Sequence, residues 1–514
     1  MRRHNLYAAL LLAAVGYGCA KGPSASKPTT DVAKLSEAAP KYAETITAAD
    51  LSKHLHIIAS DEYEGRNTGE KGQKMAAEYI AREFREDGLT GPVTANSANP
   101  YYQTFDLQKS TWGEGHISIG KEKYLMMQDF FPFGGSPFTT EQAVEAVYMA
   151  DAGQVTEQAA KGKLVATMLT AAEMQTKMRG FSAAAEKASA KGVVYVLGAE
   201  EYRAMAERFS HRIKQPSISQ ANNGSSRPAT IFATPTVGAA ILGTTPEKMQ
   251  QNTATASFKP ASDIKILMSR TSEPLATENV LGFVEGTDKK EEIVVVTAHY
   301  DHVGVDESLE GDKIYNGAND DGSGTVAVIE LAEAFAQAKK AGYGPRRSVL
   351  FMTVTGEEKG LLGSEYYSQN PIFPLENTVA NVNIDMIGRM DYDHEKTNDS
   401  NYIYVIGADK LSSELHQINE DMNQKYVNLK LDYTYNDEND PNRFYYRSDH
   451  YNFAKNGIPI VFYFNGVHDD YHQPGDEPDK IIYESAEKVA RLAFHVAWEL
   501  ANRENRIVVD SNKK

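Results

Sequence analysis

From residue 279 onward, apolar residues fall into short unbroken runs separated by longer stretches of helical period. "EIVVVTAH", "RSVLFMTVT", "TVANVNID" and "IPIVFYF" are apolar at consecutive positions, as in strands covered on both faces. "SGTVAVIELAEAFAQAKKAG" places Val328, Ile329, Leu331 and Phe335 at helical spacing and stops at Gly342, and "ESAEKVARLAFHVAWEL" predicts a terminal helix. Strands alternating with helices predict an α/β fold, with a mixed, mostly parallel central sheet flanked by helices on both faces.

Upstream the pattern changes twice. "ITAADLSKHLHIIAS" and "GEKGQKMAAEYIAREFREDGL" predict two amphipathic helices, the first capped by Thr47 or Asp50 and the second ended by Gly88. In the middle third, "KGKLVATMLT" and "VVYVLG" predict short strands around a helix in "SAAAEKASAKG" closed by Gly192, and "RIKQPSISQANNGSSRP" a long polar loop. Residues 123–262 are therefore expected to form a smaller inserted domain, between the N-terminal part (44–122) and the main part (263–514) of a larger one. Residues 20–40 are polar and poor in bulky apolar residues, so 19–43 is expected to be a flexible tether.

The first residues add a destination. Arg2 and Arg3, the apolar run Leu6–Val15 and small residues before Cys19 predict a signal peptide over 1–18. Cys19 is the single cysteine, and its place resembles that of a lipidated lipoprotein N-terminus, although Gly16 stands where leucine is usual. The expectation is a lipoprotein of a bacterial envelope on the periplasmic side, touching membrane only through that lipid. With one cysteine, the fold must rest on packing rather than disulfides.

A chain of 514 residues exceeds one core, and 41% hydrophobic with 24% charged residues describes a globular protein. The net charge of −17 argues against nucleic-acid partners. What the acids do depends on where they fall. His299 and Asp301 end one predicted strand, Glu357 and Glu358 follow the next, Asp385 ends the third, and His472 lies shortly after the fourth. Asp320 and Asp321 precede a helix, within "NGANDDGSG". Open α/β sheets bind ligands outside the carboxyl ends of their strands. Each residue alone reads as a packed histidine, a helix-start charge or a turn; together they would repel unless cations bind. Histidines mixed with carboxylates suit zinc, and five ligands serve two ions when one carboxylate bridges.

"AHYDHVG", "NGANDDGSG", "TGEEKGLLGS", "NIDMIG", "SDHYNF" and "YHQPGDEPD", in this order, resemble the motifs of the di-zinc exopeptidases that include bacterial leucine aminopeptidase, aminopeptidase S and glutamate carboxypeptidase II. The insert is similar to their protease-associated domain. The resemblance implies an aminopeptidase acting on peptides with two Zn2+ ions. His299 and Asp385 would bind one ion, Glu358 and His472 the other, and Asp320 would bridge, joined to Asp321 by a cis bond. It further implies Glu357 as general base, Asp301 hydrogen-bonded to His299, and Tyr445 beside the reacting carbonyl, with aromatic packing an equal reading for Tyr445. Two alternatives stay open: a one-zinc glutaminyl cyclase, and a non-enzymatic receptor on the same scaffold, as in the transferrin receptor.

Overall fold

The computed structural model describes residues 32–94, 98–221, 227–251 and 258–511. The expected signal peptide, Cys19 and the start of the tether lie outside these residues.

The core of the molecule is a sheet whose four central strands run parallel, in the spatial order Ile460–Phe464, Thr378–Ile384, Lys289–His299, Arg347–Val354. Tyr402–Ile406 joins one side and Ile264–Val284 the other, both antiparallel to their parallel neighbours, which makes the sheet mixed. Consecutive apolar residues serve two cores. Val294 and Val296 pack into one cluster with Phe335 and Trp498, whereas Ile293 and Val295 pack into another with Leu350 and Phe453. This is why the central strands show no polar alternation.

The helices Ala48–Ile58, Gly324–Lys340 and Tyr483–Asn502 contribute to the first cluster. Thr47 caps the first of these, accepting from the Asp50 backbone N–H at 3.2 Å. The tether expectation fails in its second half. Val32–Ala43 is a helix that buries Leu35, Ala38, Ala39 and Tyr42. Their i, i+3, i+4, i+7 spacing is amphipathic, but two of the four are alanines, so the stripe carries little bulk. Trp498 Nε1 donates to the Leu35 carbonyl at 3.0 Å and fastens this helix to the last one.

A second sheet of five strands, Phe130–Gly134, Ala229–Ala233, Gly192–Val196, Leu164–Met168 and Ala146–Tyr148, lies within the middle third. It is seated on Tyr102–Ile119 and Ile264–Val284, which pair with each other almost end to end and whose far ends share a core with it. The middle third also lends Gln142–Val144 and Ser217–Gln220 to the large sheet. The second of these falls in the expected polar loop, where backbone pairing with Leu107–Ser110 supplies order that side chains do not signal. The helix Ala171–Lys187 ends before Ala188, so Gly192 opens the next strand rather than closing the helix. Among the described residues, no helix is long and apolar enough to cross a membrane.

Candidate metal centre

All the acids and histidines singled out at strand ends reach the carboxyl edge of the four parallel strands. The strand order reverses between Lys289–His299 and Thr378–Ile384, and the crevice opens at that reversal, where α/β sheets receive ligands. His299 and Asp385 flank it, with His299 Nε2 3.7 Å from Asp385 Oδ2.

The loop before Gly324–Lys340 inserts Asp320 into the crevice. Gly317 turns it with φ of +57°, and the Asp320–Asp321 peptide is cis. Asp476 accepts from the backbone N–H groups of Asn319 at 3.0 Å and Asp320 at 3.1 Å. Asp321 faces away from the crevice and ties three segments together, accepting from the N–H groups of His299 (3.2 Å), Gly324 (2.8 Å) and Met386 (3.1 Å). A side chain at Gly324 would sit 2.4 Å from both Asp321 Oδ1 and the Ile384 carbonyl, so only glycine lets helix and strand approach here.

Each oxygen of Asp320 faces a different histidine. Oδ1 is 3.2 Å from His299 Nε2, and Oδ2 is 3.1 Å from His472 Nε2. Glu358 Oε2 is also 3.1 Å from His472 Nε2. The side chains fall into two sets of potential ligand atoms that share Asp320: His299, Asp320 and Asp385, and His302, Asp320, Glu358 and His472. The five expected ligands are thus together, and His302 joins them. It lies in "AHYDHVG" three residues beyond His299, but its approach depends on how two distant turns fold.

Hydrogen bonds orient the ring of His299. Nδ1 donates to the backbone carbonyl of Asp301 at 3.0 Å, which leaves Nε2 free for the crevice. The Asp301 carboxylate is farther from Nδ1, at 3.9 Å, so the expected side-chain bond is replaced by a main-chain one. That carboxylate instead accepts from Thr68 Oγ1 at 2.7 Å and the Glu357 N–H at 3.2 Å.

Burial of so many acids is reflected in their protonation. Burial raises the Glu357 carboxyl well above the glutamate range; His299 opposes this and Glu358 adds to it. Burial works against the charged form of Asp320, yet hydrogen bonds from His299 and His472 hold it well below the usual range. Burial also opposes protonation of His472, but Asp320 and Glu358 push it up to about 10. A field that draws protons onto imidazoles draws metal cations equally well.

Tyr445 is not brought to this edge. Its ring packs against Tyr446, His450 and Tyr451, and its carbonyl accepts from His450 Nε2 at 2.9 Å. The tyrosine lining the crevice is Tyr471, stacked 4.0 Å from the ring of His472, with Arg447 Nη2 donating to its hydroxyl at 3.3 Å. Phe444, Phe462, Phe464 and Val467 supply an apolar wall. A wider cleft on the smaller unit is lined by Met178, Met205, Phe209 and Phe232, and no group of metal-ligating side chains lies there among the described residues.

Residues 279–497, the segment carrying every one of these ligands, match the sequence profile of peptidase family M28. This segment is an M28 peptidase domain. The chain is also similar to curated proteins, including a "Probable zinc metalloprotease" of Pyrenophora teres f. teres, 33% identical over 142 residues, which are 27% of this chain and 27% of that protein. The aminopeptidase YwaD of Bacillus subtilis is 26% identical over 279 residues, covering 52% of this chain and 53% of its own. The chain thus spans about a quarter to a half of the length of these relatives. Among solved structures, an aminopeptidase from Aneurinibacillus sp. strain AM-1 superposes with a TM-score of 0.54 at 18% identity, over 92% of this chain and 98% of that one. The Bacillus subtilis zinc aminopeptidase BSAP gives a TM-score of 0.50 at 18% identity, over 90% and 98%. These likenesses show that the resemblance of fold extends beyond residues 279–497.

Proposed function

We propose that the protein is a zinc-dependent exopeptidase, an aminopeptidase that removes N-terminal residues from peptides, with two zinc ions in the crevice. The observation that carries this is Asp320, whose two oxygens face two separate histidine and carboxylate sets. The donors fit: imidazole nitrogens and carboxylate oxygens are zinc ligands, and His302 adds a buried imidazole whose Nδ1 is 2.9 Å from Glu358 Oε1. His299, Asp320 and Asp385 would hold one ion, and Asp320, Glu358 and His472 the other. Zinc bound there supplies Lewis-acid polarisation of a carbonyl and lowers the pKa of water.

The chain's own residues do the rest. Glu357 stands 3.9 Å from His299 Nε2, close to the ligands, and its raised carboxyl suits a group that takes a proton from water and passes it to the leaving amine. Arg447 and Tyr471 present donors at the crevice and replace Tyr445 as the groups that orient the scissile carbonyl. The aromatic wall favours an apolar terminal side chain. A panel of aminoacyl and acyl-dipeptide substrates tests this reading: unblocked aminoacyl compounds should be cleaved, and cleavage of only the blocked ones would contradict it. The same reading places the protein on an envelope membrane through a lipid on Cys19. Replacing Cys19 by serine should release it without changing its activity.

A further inference from the structure

His302 is fully buried, at 0% exposure; its Nε2 makes no hydrogen bond, and its Nδ1 faces the carboxylates of Glu358 and Asp320. A buried imidazole whose Nδ1 faces only carboxylates of the site stands where a ligand of a bound cation would stand. Its Nδ1 lies 2.9 Å from Glu358 Oε1 and 3.8 Å from Asp320 Oδ2. His472 Nε2 lies 3.1 Å from Asp320 Oδ2 and 3.1 Å from Glu358 Oε2. Donors around tetrahedral zinc, at zinc–ligand distances near 2.0–2.1 Å, are about 3.3 Å apart. The separations just given, 2.9–3.8 Å, bracket that spacing, and the ligand atoms of all four side chains lie within 4.8 Å of one another.

The surrounding backbone is shaped to admit this ring. Gly317 has φ of +57°, and a Cβ there would lie 2.5 Å from both Cγ and Cδ2 of His302. The His302 N–H donates to the Arg66 carbonyl at 3.2 Å, and Arg66 in turn donates from Nη2 to the Gly317 carbonyl at 2.8 Å. The glycine that turns the Asp320 loop is therefore also the one that makes room for the imidazole.

We propose that His302 is a fourth protein ligand of the ion held by Asp320, Glu358 and His472. That ion would then have four protein donors, against three, His299, Asp320 and Asp385, for the other. This inference rests on the two-zinc reading above.

The test compares wild type with His302→Ala, His302→Gln and Asp385→Ala, each stripped with a chelator and titrated with zinc against a competing chromophoric chelator. Wild type should fill in two steps, one tight and one weaker. His302→Ala and His302→Gln should weaken the tight step by at least about 100-fold, the upper end of what loss of an outer partner costs, and leave the other step nearly unchanged. Asp385→Ala should do the reverse. With one equivalent of cobalt, wild type should show the intense visible bands of a four-coordinate ion, and the His302 variants should lose them. Thermal melts of the stripped proteins should coincide, which separates lost ligation from lost folding. Two zincs in wild type and an unaltered tight step with unaltered cobalt bands in both His302 variants would overturn this inference alone. Wild type that takes up no zinc would overturn the proposed function with it.

Discussion

Arg66 offers the sharpest stability test, because it is an arginine with 0% exposure that spends its donors on main-chain carbonyls. Nε donates to Tyr300 at 2.8 Å, Nη1 to Ile58 at 2.9 Å and Asn316 at 2.7 Å, and Nη2 to Gly317 at 2.8 Å. Two of these carbonyls lead into the Asp320 loop, and a third belongs to the residue after His299. Hydrogen bonds from a charged donor are each worth about 1.5–3 kcal/mol, so the four amount to about 6–12 kcal/mol before the cost of burying the guanidinium. Arg66→Lys keeps the charge, but one ammonium at the end of a flexible stem cannot reproduce the planar fork. At least two carbonyls would be left unpaired, at about 1–3 kcal/mol each. The expected loss is about 3–5 kcal/mol, a large part of the 5–15 kcal/mol typical of a folded domain. Urea unfolding followed by circular dichroism at pH 7 measures it. A variant within about 0.5 kcal/mol of wild type would show that the carbonyl network contributes nothing.

Three further outcomes are expected. Glu357→Gln should retain zinc and lose nearly all turnover, about 100-fold or more for a proton-transfer group; zinc lost together with activity, by elemental analysis, would mean that Glu357 and Glu358 have exchanged roles. Gly317→Ala forces a Cβ to 2.4 Å from the Asp320 carbonyl at a positive φ, and should cost about 1–3 kcal/mol in urea and weaken zinc uptake in a chelator competition. Burial, helped by Lys425 and Arg491, lowers His495 to about 4, so it is neutral in the fold. Its contribution is complete above the unfolded value near 6.5 and is lost as pH falls towards 4, so His495→Phe should lose about 2 kcal/mol less than wild type between pH 7 and 4.5. Equal losses in the two proteins would contradict this.

Much of the site could be read from the sequence because parallel strands deliver their next residues to one edge. An acid or histidine after each apolar run is enough to place His299, Glu357, Glu358 and Asp385 together. His302 escaped that logic. It lies beyond the strand end, and only the turns at Arg66 and Gly317 bring its ring against Glu358. Tyr445 and Tyr471 both sit in aromatic stretches near site motifs, and nothing in their spacing distinguishes a packed ring from one lining the crevice. The fold shows the same division. The strands buried on both faces were plain, whereas Ser217–Gln220 is ordered by main-chain pairing and Val32–Ala43 by a stripe rich in alanine, both weak in side-chain pattern.

The central claim is that Asp320 serves two ions at once, and zinc content per chain tests it most directly. Wild type and Asp320→Asn would be loaded with zinc, dialysed free of excess and measured by elemental analysis. The substitution keeps the size of the side chain and one oxygen, but removes the charge that offsets two dications. Wild type should hold about two zinc ions per chain, as expected for a bridged pair, and Asp320→Asn should lose occupancy at both sites. One zinc in wild type would favour the cyclase-like alternative and none the receptor-like one. Two zincs tightly retained by Asp320→Asn would show that the bridging carboxylate is not Asp320.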